Sequence, residues 1–178
     1  MAFHNKITLR IANQEELPQF KKDLQKSFSV AVIETFGSIL DEPIPSDKEI
    51  EESFHESGAV IYHILSNGET VGGAVVTINE ATQHNVLSLF FINTTALGQG
   101  IGSQAWKLIE QTYPQTQVWE THTPYFEKRN IHFYVNKCGF HIVEYLNAYH
   151  KSTHQQDHEH SLGDEDLFRF EKIMKNKN

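Results

Sequence analysis

Three glycines at alternate positions, Gly98, Gly100 and Gly102, stand between an apolar run and a helical pattern in residues 85–113. The run NVLSLFFIN is rich in Leu, Phe and Ile and long enough for a buried strand. Beyond the glycines, Ile101, Ala105, Leu108 and Ile109 share one helical face, while Ser103, Gln104, Lys107, Glu110 and Gln111 fill the other. Strand, glycine turn and helix in this order gather free backbone N–H groups at the positive end of a helix dipole. The missing side chains leave a concavity there, and the chemistry it suits is capture of a phosphate. No lysine stands in the loop, which disfavours a Walker-type nucleotide hydrolase. A dinucleotide fingerprint is also weak, because its third glycine would fall on Ser103 or Ala105. Taken alone, the loop also fits a tight connection that needs positive φ.

A second motif lies in residues 130–140, NIHFYVNKCGF. Together the two resemble the GNAT superfamily of acetyl-CoA-dependent N-acetyltransferases. Its signature is Q/R-x-x-G-x-G/A opening a helix, then an aromatic-Tyr-x-x-x-Gly-Phe helix end. The first half reads Leu97-Gly98-Gln99-Gly100-Ile101-Gly102 and the second Phe133-Tyr134-Val135-Asn136-Lys137-Cys138-Gly139-Phe140. Two positions depart from the pattern. Leu97 stands where the family usually has Gln or Arg, and Glu127 where many members carry a CoA-contacting Asn seven residues before the Tyr.

The resemblance, which covers most of the chain, implies one α/β (α+β) domain over residues 1–178. Its central mixed, mostly antiparallel sheet has parallel middle strands that splay apart, flanked by helices. It implies acetyl-CoA as co-substrate, with the pyrophosphate on the amides of Gly98, Gln99, Gly100, Ile101, Gly102 and Ser103. The pantetheine arm would pair with a free strand edge near Phe91 and Ile92, and a backbone N–H near Ile92 or Asn93 would stabilise the oxyanion. Asn130, one turn further along the helix, would reach the cofactor in place of the Asn that Glu127 replaces. Tyr134 is placed as the acid that protonates the departing thiolate, against a plain reading as a core aromatic beside Phe133. Glu120, on the strand flanking the splay, is the first candidate for the base, with His122 on the same face. Its plain reading is a strand carboxylate paired to a Lys or Arg. The activity implied is transfer of an acetyl group to a primary amine of a small-molecule or peptide acceptor, and homodimers are common in the family. The alternative is a module of the same fold that binds acyl-CoA without turnover. A nucleotide-binding regulatory domain is a third class, resting on the loop alone.

These groups need elements to position them. Residues 6–12 alternate as a strand, and Asn13 can cap a helix with Pro18 in its first turn and Leu17, Phe20, Leu24 and Phe28 on its apolar face. A separate apolar segment, 30–40, ends at a turn-rich break, after which Ser46 and Glu49 form a capping box. Residues 59–65 and 70–78 read as strands joined at Asn67-Gly68, with Gly72 and Gly73 marking either a bulge or a close approach. Residues 85–93 and 117–123 are the middle strands, 127–137 a helix closed by Gly139, and 140–149 and 166–174 the last two, antiparallel strands.

The 178 residues carry a net charge of −8, which argues against nucleic acid or an anionic membrane as main partner and is compatible with cationic, amine-bearing substrates. No apolar run approaches the roughly 18 residues of a membrane helix, and the N-terminal residues lack an apolar signal core, so a cytoplasmic location is expected. The lone Cys138 leaves no intrachain disulfide and reads as a small core residue. His154, His158 and His160 could ligate a metal, but their segment reads as a solvated hairpin loop without an ordered shell, and no native metal site is expected.

Overall fold

The computed structural model describes residues 4–38, 41–151 and 166–175. Seven strands form one mixed sheet in the order β1-β2-β3-β4-β5-β7-β6. They are β1 (Ile7–Ile11), β2 (Ala59–Ser66), β3 (Glu69–Thr77), β4 (His84–Ile92), β5 (Val118–Pro124), β6 (His141–Leu146) and β7 (Leu167–Ile173). Every neighbouring pair is antiparallel except β4 and β5. The β2–β3 turn is the expected Asn67-Gly68, both at positive φ (52° and 87°), which matches the right-handed twist of a hairpin.

Helices cover both faces. α1 (Leu17–Phe36) and α2 (Asp47–His55) bury Phe20, Leu24, Ile50 and Phe54 against Val75 and Phe91. α3 (Ile101–Thr112) lies on the other face, where Ile101, Ala105, Trp106 and Ile109 join Ala74, Val76, Leu87, Phe90 and Trp119. Successive strand residues point to opposite faces, so one stretch of β3 or β4 supplies both cores. α2 starts as its sequence demands: Glu49 N–H donates to Ser46 Oγ, and the Glu49 carboxylate accepts from Ser46 N–H at 2.7 Å.

Three expectations change. Up to Phe36, the apolar segment 30–40 is no separate element. It continues α1, because nothing between Phe28 and Phe36 breaks the helix and Gly37, at φ 76°, is the first left-handed cap. Residues 39 and 40 lie outside the described residues. The helix expected over 127–137 divides into α4 (Lys128–His132) and a π-helical stretch, Phe133–Cys138. Gly139 and Phe140 N–H both return to the Tyr134 carbonyl, which widens the turn that carries Tyr134. The strand from 140 stops at Leu146, since the Asn147 side chain accepts from the N–H groups of Tyr149 and His150 and turns the chain.

Gly72 and Gly73 are explained by both of their readings. The β2–β3 register slips between Ile64 and Leu65, and a Cβ on Gly72 would meet the Phe91 carbonyl at 2.3 Å. A Cβ on Gly73 would lie 2.2 Å from the Phe20 ring, which Phe54, His63 and Phe91 hold in place. Among the described residues, no helix is long and apolar enough to cross a membrane. We expect Gly73→Ala to destabilise the protein by about 1–3 kcal/mol through overpacking. A lower urea midpoint at unchanged slope would show this, and an unchanged midpoint would mean that Phe20 has room to move.

Candidate active site

The site is built where the two parallel strands part. β4 and β5 pair from His84 opposite Val118 to Leu87 opposite Thr121 and no further. The closed end is bolted by buried Asn85, which donates to Thr116 Oγ1 at 2.7 Å and accepts from Asn79 N–H at 2.8 Å. The open end begins with a bulge. Val75 and Val76 pair with Leu89 and Leu87, leaving Ser88 as the extra residue directly after the last parallel pair. A bulged strand bends, and β4 turns away from β5 there. Buried Thr121 occupies the vertex and donates to the Leu87 carbonyl at 2.8 Å.

Beyond the vertex, one edge of β4 has no partner strand among the described residues. Asn93 N–H donates to Val71 on β3 at 2.8 Å, and alternation along the strand then turns the N–H groups of Ile92 and Phe90 toward the free edge. This corrects one expectation: Asn93 N–H is already committed, so the free donors are those of Ile92 and Phe90.

Two cavities meet at this edge. The larger, of about 940 Å³, runs between the second half of α1, the end of β4, the glycine loop and α4. Of the expected cofactor residues, Phe91, Ile92, Gly98, Gly100, Ile101, Gly102, Ser103 and Asn130 line it. Asn93 and Gln99 do not; the Gln99 side chain instead accepts from Asn5. Gly98 and Gly100 adopt φ 79° and 72°, and a Cβ on either would meet nothing within 4 Å. Gly100 caps α3, so the first N–H groups of that helix open onto the cavity unshielded. Gly102 has a different duty, since a Cβ there would press on the Phe133 ring at 3.1 Å. Lys128, Arg129, His132 and Lys137 add basic groups on the wall, as an anionic ligand requires. The residues fit a phosphate-bearing acyl carrier.

The smaller cavity, of about 180 Å³, passes through the gap between the strands. Ser88, Leu89 and Phe90 of β4 face His122, Thr123 and Pro124 of β5 across it. Tyr134 closes one side, and Ile44, Pro45 and Glu49 from the α1–α2 connection and the start of α2 border the other. Phe28, Phe90 and Asn130 line both cavities, which adjoin at these residues. Tyr134 is buried beside Thr121 and packs on Phe133, Phe140 and Phe170. Burial, followed by Cys138, raises its phenol above the ordinary value, so it keeps its proton at neutral pH.

Glu120 lines neither cavity. It stands 3.8 Å from Arg169, whose guanidinium also holds Glu144 and Glu171, which is the arrangement of a paired strand carboxylate. The β5 group that reaches the gap is His122, with Nε2 3.5 Å from Glu120 Oε1. Burial lowers the His122 pKa; Arg169 acts in the same direction, while Glu120 and Glu144 oppose it. Glu127 is the residue whose environment sequence reasoning missed. It lines the larger cavity at 4% exposure, and burial pushes its carboxyl up to about 7, against Arg129 and with Glu34. Its unusual position in the signature was the available signal. Among the described residues, no group of three or more His, Cys, Asp or Glu side chains could hold a metal. His154, His158 and His160 lie outside the described residues.

Known proteins carry the same organisation. Residues 18–140 match the model of the acetyltransferase (GNAT) family. An uncharacterized protein, YrkN of Bacillus subtilis (strain 168), is 56% identical over 177 residues, covering 97% of this chain and 96% of its own. The fold is similar to an IAA acetyltransferase from Bacillus cereus ATCC 14579, at 18% identity and TM-score 0.65, covering 95% of this chain and 100% of that one. It is similar also to a GNAT family acetyltransferase from Elizabethkingia anophelis with acetyl-CoA bound, at 16% identity and TM-score 0.66, over 94% and 98% of the two chains. With a signature loop, a parted pair of parallel strands and a family match across more than half its length, the chain belongs to the acetyltransferase (GNAT) family, with acetyl-CoA as its co-substrate.

Proposed function

We propose that the protein is an N-acetyltransferase that moves the acetyl group of acetyl-CoA onto the primary amine of a small acceptor by direct attack. The observation that carries this reading is that two cavities adjoin where β4 and β5 part, the smaller with Tyr134 and His122 on its walls. Amides 98–103 and the basic groups of α4 hold the phosphates. Bound acetyl-CoA supplies an activated thioester. The free edge of β4 lines the arm's path, and Ile92 or Phe90 N–H is available to a carbonyl oxygen that gains charge.

Two protons must leave an ammonium for an amide to form, one ending on the thiol and one in solvent. His122, neutral at pH 7, takes a proton from the acceptor nitrogen, with Glu120 beside Nε2 leaving the lone pair on Nδ1. Tyr134 keeps its proton and donates it to the departing thiolate. Glu120 thus moves from base to positioning group, because its carboxylate faces Arg169 and His122 rather than the gap.

The acceptor compartment is small. Its volume of about 180 Å³ is about a fifth of the 940 Å³ of the larger cavity. Ile44, Pro45, Leu89 and Leu167 make much of its wall apolar, with Glu49 as a carboxylate. A short, partly apolar body carrying one amine fits these walls.

The reading is tested by release of CoA thiol from acetyl-CoA in the presence of a panel of primary amines graded by size. We expect turnover with short amines, and a Tyr134→Phe variant that binds acetyl-CoA normally but loses about 10²-fold in kcat. An unchanged kcat would remove Tyr134 from the reaction. The pH profile addresses His122. Because its folded pKa lies below the ordinary imidazole value, kcat/KM should hold as pH falls to about 6.5 and decline only below it. His122→Gln should lower the rate at least about tenfold and abolish that limb. A limb that survives the substitution would assign the base elsewhere.

A further inference from the structure

Glu127 sits on the wall of the larger cavity with Oε1 sealed from solvent and meeting no hydrogen-bond donor among the described residues. A carboxylate buried without donors is costly, whereas a neutral carboxyl offers an O–H to any acceptor brought against it. Glu34 from α1, Arg129 from α4 and Tyr134 from the π-helical stretch interact with it electrostatically, and Lys128, His132 and Lys137 line the same cavity. Arg129 favours the charged form, while burial and Glu34 oppose it. We propose that Glu127 meets the pantetheine arm as a neutral carboxylic acid, so that acetyl-CoA binding draws one proton from solvent onto its carboxylate.

The inference rests on acetyl-CoA filling this cavity, and the physics follows from what that ligand brings. Its phosphates add negative charge to a space that already holds Glu34 and Glu127, and its arm excludes water from the wall. Lys128 and Arg129 are drawn to the phosphates and compensate Glu127 less. Each change disfavours the carboxylate, so the bound carboxyl titrates higher than the free one. At a position where the family pattern carries an Asn amide, the Glu127 O–H then donates to an amide carbonyl of the arm. Between the free and bound values, each rise in pH removes a proton that binding must restore, and affinity falls with pH at a slope of up to about tenfold per unit.

The test is calorimetric titration of the full chain with acetyl-CoA from about pH 6.5 to 8.5, in two buffers of different protonation enthalpy. The proposal expects an uptake that approaches one proton above neutrality in the unsubstituted protein, with Kd weakening in step. Glu127→Gln should remove both, Glu34→Gln should shift the uptake to lower pH, and His132→Gln should leave it in place. Binding without uptake, or the same uptake in Glu127→Gln, would overturn the proposal and leave the co-substrate reading standing. Absence of acetyl-CoA binding to the unsubstituted protein would overturn both.

Discussion

After Leu87, β4 leaves β5, and the rest of the site depends on that loss of pairing. Backbone N–H and C=O groups in a sheet interior need partners, and a gap in the middle of a seven-stranded sheet leaves a row of them unpaired. The bulge at Ser88 bends one strand, while Asn85 and Thr121 hold the paired end and the vertex shut. The opening is thereby confined to a few residues. Phe90 and Ile92 present their free edge to the cavity, and an extended ligand with amides of its own can complete the sheet.

The remaining elements place charge around that gap. α3 directs its N-terminal amides at one end of the larger cavity, and Gly98 and Gly100 keep the approach clear. Basic side chains of α4 line the same cavity, together with the acidic residues Glu34 and Glu127. At the gap itself, burial raises the Tyr134 phenol and lowers the His122 imidazole.

Much of this was legible because the responsible interactions are local. Asn67-Gly68, the Ser46 and Glu49 box and the glycine loop each fix a conformation within four or five residues, and each was found where the sequence put it. The π-helical turn at Tyr134 was hidden because it depends on packing against Phe140 and Phe170, remote partners that periodicity does not register. That His122 rather than Glu120 lines the gap was hidden as well, because Arg169, which stands beside the Glu120 carboxylate, lies on a strand nearly fifty residues away. Which of Ile92 and Asn93 has a free N–H was hidden for a similar reason: alternation sets which N–H groups face β3, and the phase of that alternation is fixed by register with Val71.

The central claim is that the concavity at Gly98 and Gly100 seats the phosphates of acetyl-CoA. It is tested most directly by titrating the purified protein and a Gly100→Trp variant with acetyl-CoA, with ATP and NAD as controls. The account predicts saturable binding of acetyl-CoA in preference to either control, and its loss in the variant, whose indole fills space that is open around Gly100. Equal affinity in the Trp variant, or preference for ATP or NAD, would contradict it.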